Sequence, residues 1–547
     1  MIAKVLVKKK TLSDGIFDYL IDPELSLNLL SLVEVPFGRS KTIGIVVGIV
    51  NSSPKATKSV IRKLTNNPIL TKDQMTIAKL IAEEFVSSLS STIFSFLPDL
   101  NIKDLKKVAP STQPKKRLKS RYLFVAGSFW ERLNYYISLD SHDSQSLIVI
   151  PEIAQIQKAQ RIYNKISDKK TFVWHSKVTS NEKLKILNLL LTGENITIFS
   201  TRHGLFLPFT KLENIFIDQP TNYAQFEDQE PYYNAYKSSR IVAKIYRSNL
   251  AIGDSMPDLV SFAAIKNKKL ELVELSNKLN IQISGPLFHA SSDLKLVEKL
   301  RCGKMAFATG FFKESYGLTC KDCSSQVACH TCKNTQFNAN NNLCTICKNP
   351  APIYCSSCRS ISLLQTGTTI NKLGADLKKY LPEFSFTIKD IGEINRLEPD
   401  YRIAIIPYFD FYSNFPFITF REKLFRNTLE LADIGVDQIW ILGEDLQNQD
   451  FSNLIKQKNW SSYLDEELKS RKQNNFPPFK TAIKIEAKDK KTIELVIECL
   501  STNKYIRSGD NLIYAFLDFN KTKEITKELK KKFSSTIKLK IDPVEFA

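Results

Sequence analysis

Residues 318–360 read LTCKDCSSQVACHTCKNTQFNANNNLCTICKNPAPIYCSSCRS. Eight of the ten cysteines fall here, as four C-x2-C pairs: Cys320/Cys323, Cys329/Cys332, Cys344/Cys347 and Cys355/Cys358. Five, eleven and seven residues separate successive pairs. A C-x2-C turn aims two thiolates at one ion, and two such turns complete a tetrahedral site. Eight thiolates therefore make two closed sites, which are structural because no coordination position stays open. Zinc is expected in both. Iron–sulfur ligation is the competing reading, and four evenly paired knuckles favour zinc over it. His330, beside Cys329, is read as a bystander because eight cysteines already satisfy two ions. Clustering of this kind, with only Cys302 and Cys499 left over, points to metal rather than disulfides.

Outward from the cluster, short apolar runs mark strands. KMAFATGFF (304–312) precedes it; FSFTIKD (384–390), RIAIIPYF (402–409) and QIWILGED (438–445) follow. Upstream, YLFVAG (122–127), SLIVIPE (146–152), TFVWHS (171–176), ITIFSTR (196–202) and NIFIDQP (214–220) alternate with helical stretches such as AQIQKAQRIYNKI (154–166). That rhythm predicts parallel α/β sheets. The first hundred residues read as strands followed by a helix. MIAKVLVKKK (1–10) and KTIGIVVGIV (41–50) alternate, VPFGRSK (35–41) is a turn with a basic tip, and a helical stretch begins near Asp73. WSSYLDEELKSRKQ (460–473) predicts a helix that stops before NNFPPF. KTAIKIEAK (480–488) and STIKLKID (535–542) read as strands.

The expected fold class is α/β, with two parallel-sheet lobes. A small mainly-β domain covers 1–104, a basic linker 105–120, the first lobe 121–295 and the second 296–445. The cysteine module at 318–360 is inserted in the second lobe, and an α+β domain covers 446–547. The 547 residues carry 77 Lys+Arg against 57 Asp+Glu, a net charge of +20. Such an excess favours a polyanionic partner, nucleic acid first. No signal peptide or membrane-length apolar run is evident, which gives the expectation of a cytoplasmic protein with no membrane partner.

The residues resemble the PriA family of replication restart helicases along nearly the whole chain. GIFDYLI (15–21) and VPFGRSKTIGIVVGI (35–49) resemble its domain for the 3′ end of a nascent strand. IVIPEIAQ (148–155), HSKVTSNEK (175–183), STRHGLFLPF (200–209) and IGDSMPDLVS (252–261) resemble its motor segments, in order. YLDEELKSRKQNNFPPF (463–479) and IDPVEF (541–546) resemble its C-terminal part. The resemblance implies two RecA-like helicase lobes. It implies two zinc ions, one on the outer cysteine pairs and one on the inner pairs. It also implies a pocket for the terminal nucleotide from Phe17, Asp18, Tyr19 and Lys58, with Arg39 and Arg202 as further DNA contacts. Tyr223, Phe226, Tyr232, Tyr233 and Tyr236 occupy the place of an aromatic-rich loop that senses single-stranded DNA; a buried aromatic stripe is the alternative.

The motor motifs depart from the family. A phosphate loop needs G-x-x-x-x-G-K-[ST], so that backbone amides and a Lys cradle the phosphates. The matching segment here is VAGSFWERL (125–133). Gly127 and Ser128 remain as vestiges, but Phe129, Trp130 and Glu131 replace the Gly, Lys and Thr. The family's Asp-Glu-Glu-His becomes Asp218, Gln219, Pro220 and Thr221, leaving Asp218 as a residual metal contact. Only Arg421 and Arg426 lie near the missing second-lobe motif, and 105–120 leaves no room for a winged helix.

The leading expectation is a DNA-binding replication restart protein without a motor and without ATP or magnesium. Its partners would be branched forks, single-stranded DNA and a 3′ end, with single-stranded DNA-binding protein and the replicative helicase or its loader as protein partners. An active ATP-dependent 3′→5′ helicase and a zinc-stabilised interaction scaffold are the competing readings.

Overall fold

The computed structural model describes all residues except 10–14, 113–119, 277, 303–305, 311–314, 324, 332–336, 339–340, 346, 367–369, 392–400, 414–418, 444–445, 501–502, 508–510, 534–535 and 544–547. The end of the IDPVEF segment falls outside the described residues. The chain divides into two compact units. One comprises 1–125, 132–254 and 269–273; the other comprises 126–131, 255–268 and 274–547.

In the first unit, β1 (Ile2–Val7), β2 (Ile16–Leu20), β3 (Leu32–Phe37), β4 (Ser40–Val50) and β5 (Arg62–Lys63) form an antiparallel sheet in the order β2-β1-β4-β3-β5. The β3–β4 hairpin turns at Gly38 with φ +57°, a conformation that costs glycine little. Residues 58–64 close the sheet on itself. Lys58 and Val60 exchange backbone hydrogen bonds with Leu20, while Ile61 and Leu64 donate to Glu34 and Leu32. Neither edge is left as a bare template for another strand. The inner face buries Ala3, Val5, Val7, Tyr19, Val33, Val35 and Val46. The helices α1 (Lys72–Glu84), α2 (Leu89–Phe96) and α3 (Ile102–Leu105) follow. Thr71 caps α1 in a capping box with Gln74, and Asp73 sits in the first turn. The stretch expected as a linker is tied down where it is described: Asn66 and Asn67 donate to the carbonyls of Lys106 and Val108, and Thr112 donates to Leu191.

The larger sheet of this unit has the order β12-β6-β11-β10-β7-β9-β8. Its strands are β6 (Tyr122–Ala126), β7 (Gln145–Val149), β8 (Lys170–Trp174), β9 (Ile196–Ser200), β10 (Leu212–Asp218), β11 (Asn249–Asp254) and β12 (Glu271–Glu274). The pairings from β11 across to β8 are parallel. The five apolar runs read from the sequence are all strands, and the buried β11 completes the middle of the sheet. The helices are α4 (Phe129–Leu139), α5 (Ile153–Ile166), α6 (Ser180–Thr192) and α7 (Ala235–Tyr246). Capping of α6 by Thr179 and Glu182, with Gly193 in the left-handed conformation at its end, fixes both boundaries locally.

In the second unit, α8 (Leu259–Lys266) precedes β13 (Asn280–Ser284), α9 (Leu294–Cys302) and β14 (Ala306–Gly310). The cysteine module carries β15 (Ser315–Cys320), β16 (Gln326–Val327), β17 (Phe337–Asn338) and β18 (Leu363–Thr366). Then come α10 (Ile370–Tyr380), β19 (Phe386–Asp390), β20 (Ile403–Ile406), α11 (Phe409–Ser413), α12 (Phe420–Glu430) and β21 (Gln438–Leu442). The parallel sheet has the order β13-β21-β20-β14-β19. The module thus interrupts the crossover between the paired strands β14 and β19, an insertion in the second lobe. The strand β13 lies inside the 121–295 stretch expected for the first lobe, yet it pairs with β21. No proline or glycine between β12 and β13 signals that change of sheet.

After α13 (Asp450–Lys456), α14 (Trp460–Gln473) spans the expected helix and ends before the prolines. The chain then runs β22 (Thr481–Ala487), α15 (Lys490–Cys499), β23 (Lys504–Arg507), β24 (Leu512–Leu517), α16 (Phe519–Phe533) and β25 (Ile537–Ile541). The antiparallel order β23-β24-β22-β25 makes this a β-α-β-β-α-β unit of the ferredoxin-like type. Among the described residues, no helix is long and apolar enough to cross a membrane.

Candidate functional site

The cysteine module brings its pairs together as two groups. Cys320, Cys323, Cys355 and Cys358 place their sulfurs within 4.8 Å of one another, and so do Cys329, Cys344 and Cys347. Cys332, expected as the fourth ligand of the second group, lies outside the described residues. The antiparallel pairing of β15 with β18 sets Cys320 opposite Leu363, which draws the first and last pairs together. The sulfurs of Cys320 and Cys358 are 3.4 Å apart, those of Cys323 and Cys355 3.7 Å, and those of Cys329 and Cys347 3.5 Å. A tetrahedral zinc with about 2.3 Å bonds needs sulfur–sulfur edges of about 3.8 Å, so the donor sets fit. Donors from Ser325 pull the Cys323 thiol down to about 6, towards the thiolate that binds metal. Cys320, Cys329, Cys344 and Cys355 are buried with Leu318, Val327 and Phe337, a core too small to hold itself without the ions. His330 joins neither group; its ring lies 5.1 Å from that of Tyr354.

The residues expected to form one end pocket divide between two faces of the small sheet. Successive residues of β2 point to opposite faces. Phe17 and Tyr19 therefore face inward and Asp18 outward. Tyr19 is buried in the inner face of the sheet, and its hydroxyl donates to the Pro36 carbonyl at 3.0 Å. Phe17 is half-buried against Phe37, with ring centroids 5.2 Å apart. Lys58 is exposed and reaches the Gly38 carbonyl at 3.4 Å, beside the exposed Arg39 of the hairpin tip. Asp18 accepts a short hydrogen bond from Ser53. Ser53 and Lys4, the residue directly opposite Asp18, were not singled out in the sequence. Strand register reveals Lys4, and a hydrogen bond from outside the strands reveals Ser53.

Arg202 donates to the Ala224 carbonyl and to Glu227, both at 2.8 Å. It holds the segment after β10 rather than presenting its guanidinium outward. Within that segment Tyr223 is exposed, Phe226 and Tyr232 are half-buried, and Tyr233 and Tyr236 are buried. The stripe is therefore partly core and partly surface.

The turn between β6 and α4, Gly127–Ser128, stands where a phosphate loop would. A Cβ on Gly127 would lie 2.9 Å from the Leu275 Cβ, so close packing by itself accounts for that glycine. The Glu131 carboxylate accepts from the Ser128 amide at 3.0 Å and from its hydroxyl at 2.7 Å. The Phe129 amide donates to Asp433 at 2.7 Å, and the Trp130 indole N–H donates to the Asp433 carbonyl at 3.1 Å. Amides at a helix N-terminus are a ready anion site, and here the chain's own carboxylates take them. In the first unit, Arg132 makes a two-point bond to Asp218, Nε–Oδ1 2.8 Å and Nη2–Oδ2 3.0 Å, both side chains buried. Burial raises the Asp218 carboxyl and Arg132 pulls it back in part. Both carboxylate oxygens of Asp218, expected as a residual metal contact, thus accept from Arg132. In the second lobe, Arg421 donates to the Ser413 carbonyl and Arg426 pairs with Glu422 at 2.8 Å.

Residues 4–98 match the model of the PriA 3′ DNA-binding domain. Replication restart protein PriA of Borreliella burgdorferi is 23% identical over 512 residues, covering 78% of this chain and 76% of that one. The chain is a PriA relative. PriA of Rickettsia prowazekii is 28% identical over 51% of this chain and 46% of its own length, and PriA of Helicobacter pylori 26% over 60% and 57%. The chain thus spans about half the length of the last two PriA proteins. Among solved structures, RecG bound to a three-way DNA junction aligns with a TM-score of 0.37 at 11% identity, over 74% of this chain and 47% of that one, too slight a likeness to argue from. The two parallel sheets, the inserted cysteine module and the small β domain are the fold expected of a PriA relative.

Proposed function

We propose that the chain is a DNA-binding replication restart protein that recognises forks through a 3′ end, carries two structural zinc ions and has no ATP-driven motor. The observation that carries the DNA reading is the match of residues 4–98 to the PriA 3′ DNA-binding domain. The net charge of +20 supports it. The expected DNA contacts are Phe17, Asp18, Lys58 and Arg39. The loss of the motor is supported by Glu131 and Asp433 on the amides where phosphates would sit, and by Arg132 on Asp218. Phosphoryl transfer depends on positioned cations around the phosphates, and this turn offers carboxylates instead. Single-stranded DNA-binding protein and the replicative helicase or its loader are the protein partners this role calls for.

The test pairs fork binding with ATP turnover in the full chain. Salt-sensitive binding that prefers forks with a free 3′ hydroxyl is expected, with no DNA-stimulated hydrolysis. Turnover of about one per second, an ordinary enzyme rate, abolished by Asp218→Ala, overturns the loss of the motor. Fork affinity indifferent to salt overturns the DNA reading.

A further inference from the structure

Within the first unit, α1 and α2 hold the small sheet on one side and the aromatic segment on the other. Ser90, in the first turn of α2, donates from its buried hydroxyl to the carbonyl of Val7, the last residue of β1, at 2.6 Å. Phe96, at the end of α2, stacks on Phe206 with ring centroids 4.0 Å apart, and Phe206 meets Tyr233 edge-on at 4.8 Å. The polar contacts come from the turn between the two helices and its flank. The Ser87 hydroxyl donates to the Pro231 carbonyl at 2.8 Å, the Ser88 amide donates to Glu230 at 2.9 Å, and Lys237 pairs with Glu84 at 2.8 Å. That turn is held against its own preference. The Ser87 amide donates to the Ala82 carbonyl at 2.8 Å and the Val86 amide to that of Glu83 at 3.4 Å, the pattern in which a helix ends on a left-handed residue. Glycine usually takes that place. Here Val86 does, at φ +48°, a conformation that strains a β-branched side chain. Tyr232, next to Pro231, is left-handed too, at φ +51°. Both partners of the Ser87–Pro231 bond therefore adjoin a strained residue. Such strain persists only where the surroundings enforce it, so the placement of 230–233 depends on the hold of the turn.

We propose that the α1–α2 turn is a joint through which DNA held on the small sheet sets the order of the aromatic segment 223–233. This rests on the reading of the small domain as a DNA binder. DNA bound on the sheet stiffens β1, Ser90 carries that restraint into α2, and the turn carries it to Glu230 and Pro231. Arg202 already fixes the front of the segment at Ala224 and Glu227, which leaves its back, 230–233, as the part the turn controls. Ser87 and Glu230 are positioning residues in this role: they act through the segment and not on the DNA.

The experiment follows hydrogen exchange of the full chain, alone and with a saturating fork that carries a recessed 3′ end. In the unsubstituted chain the fork is expected to slow exchange over β1 and β2 and, with them, over 222–233 by about tenfold, the scale of one well-made hydrogen bond. Ser87→Ala with Glu230→Ala is expected to keep the protection of β1 and β2 and to lose the gain over 222–233. Ser87→Ala alone, a milder change, is expected to lessen the gain, and Ser87→Thr, which keeps the hydroxyl, to preserve it. A gain over 222–233 that survives in the double variant shows DNA acting on the segment directly and overturns the joint, as does an unsubstituted chain in which only β1 and β2 gain protection; in either case the DNA-binding reading stands. A fork that protects neither region overturns both.

Discussion

Arg132 and Asp218, 86 residues apart in sequence, face each other through two hydrogen bonds with both side chains buried. The pair joins the start of α4 to the end of β10, the two places where a nucleotide motor would hold its phosphates and its magnesium. A guanidinium here neutralises the aspartate from within the chain. A Cβ on Gly253 would lie 1.7 Å from the Tyr136 hydroxyl, so the glycine in the neighbouring strand serves this packing too.

Removing one partner leaves a buried, uncompensated charge. Arg132→Met is expected to destabilise the first unit by about 3–5 kcal/mol, and Arg132→Met with Asp218→Leu by clearly less, since an apolar pair can replace a buried ion pair. Urea unfolding of the two variants checks this. A double variant as unstable as the single one would count against the pair as a replaceable strut.

The first turn of α4 should resist hydrogen exchange. Helix N-terminal amides normally lack partners, but the Ser128 and Phe129 amides donate to Glu131 and Asp433. Protection over 127–131 is expected without nucleotide, with no gain on adding ATP and magnesium. Asp433→Ala should raise exchange in this segment roughly tenfold or more, as loss of a charged acceptor implies. Added protection from ATP would argue for a working nucleotide site.

Metal analysis of the purified chain should give two zinc ions. Chelation should loosen residues 315–366 while the β-α-β-β-α-β unit at the C-terminus keeps its protection, because the ions supply most of the folding energy of the small module. Cys344→Ser should act like chelation at the inner site. One zinc per chain, or an iron chromophore, would sink the two-site reading.

Tyr19 and Asp18, adjacent in sequence, should behave differently. Tyr19→Phe removes a bond to the Pro36 carbonyl and should cost about 1 kcal/mol of stability, leaving end preference intact. Asp18→Ala should abolish the preference for a 3′ hydroxyl while general fork affinity stays. Loss of the preference in Tyr19→Phe would return Tyr19 to the site.

By itself, the sequence determined the features whose physics is local. The C-x2-C spacing dictates paired thiolates, and the apolar runs of 122–220 dictate buried parallel strands. The residues at 460–479 dictate a helix that ends before its prolines. That Trp130 and Glu131 stand where the resemblance expects Lys and Thr was equally readable, because a phosphate loop is a contiguous motif. The tertiary structure alone decided what depends on distant partners. Nothing near residue 280 tells β13 to leave one sheet and pair with β21, since strand pairing is set by register between segments more than 150 residues apart. Likewise, GIFDYLI reads as one cluster of aromatic and acidic residues, yet the two-residue period of a strand sends Tyr19 into the core and Asp18 to the opposite face of the sheet. The partners of Glu131, Phe129 and Arg132 had the same origin. At a helix N-terminus and at a strand end the fold brings in Asp433 and Arg132, because buried amides and a buried carboxylate must be satisfied by something.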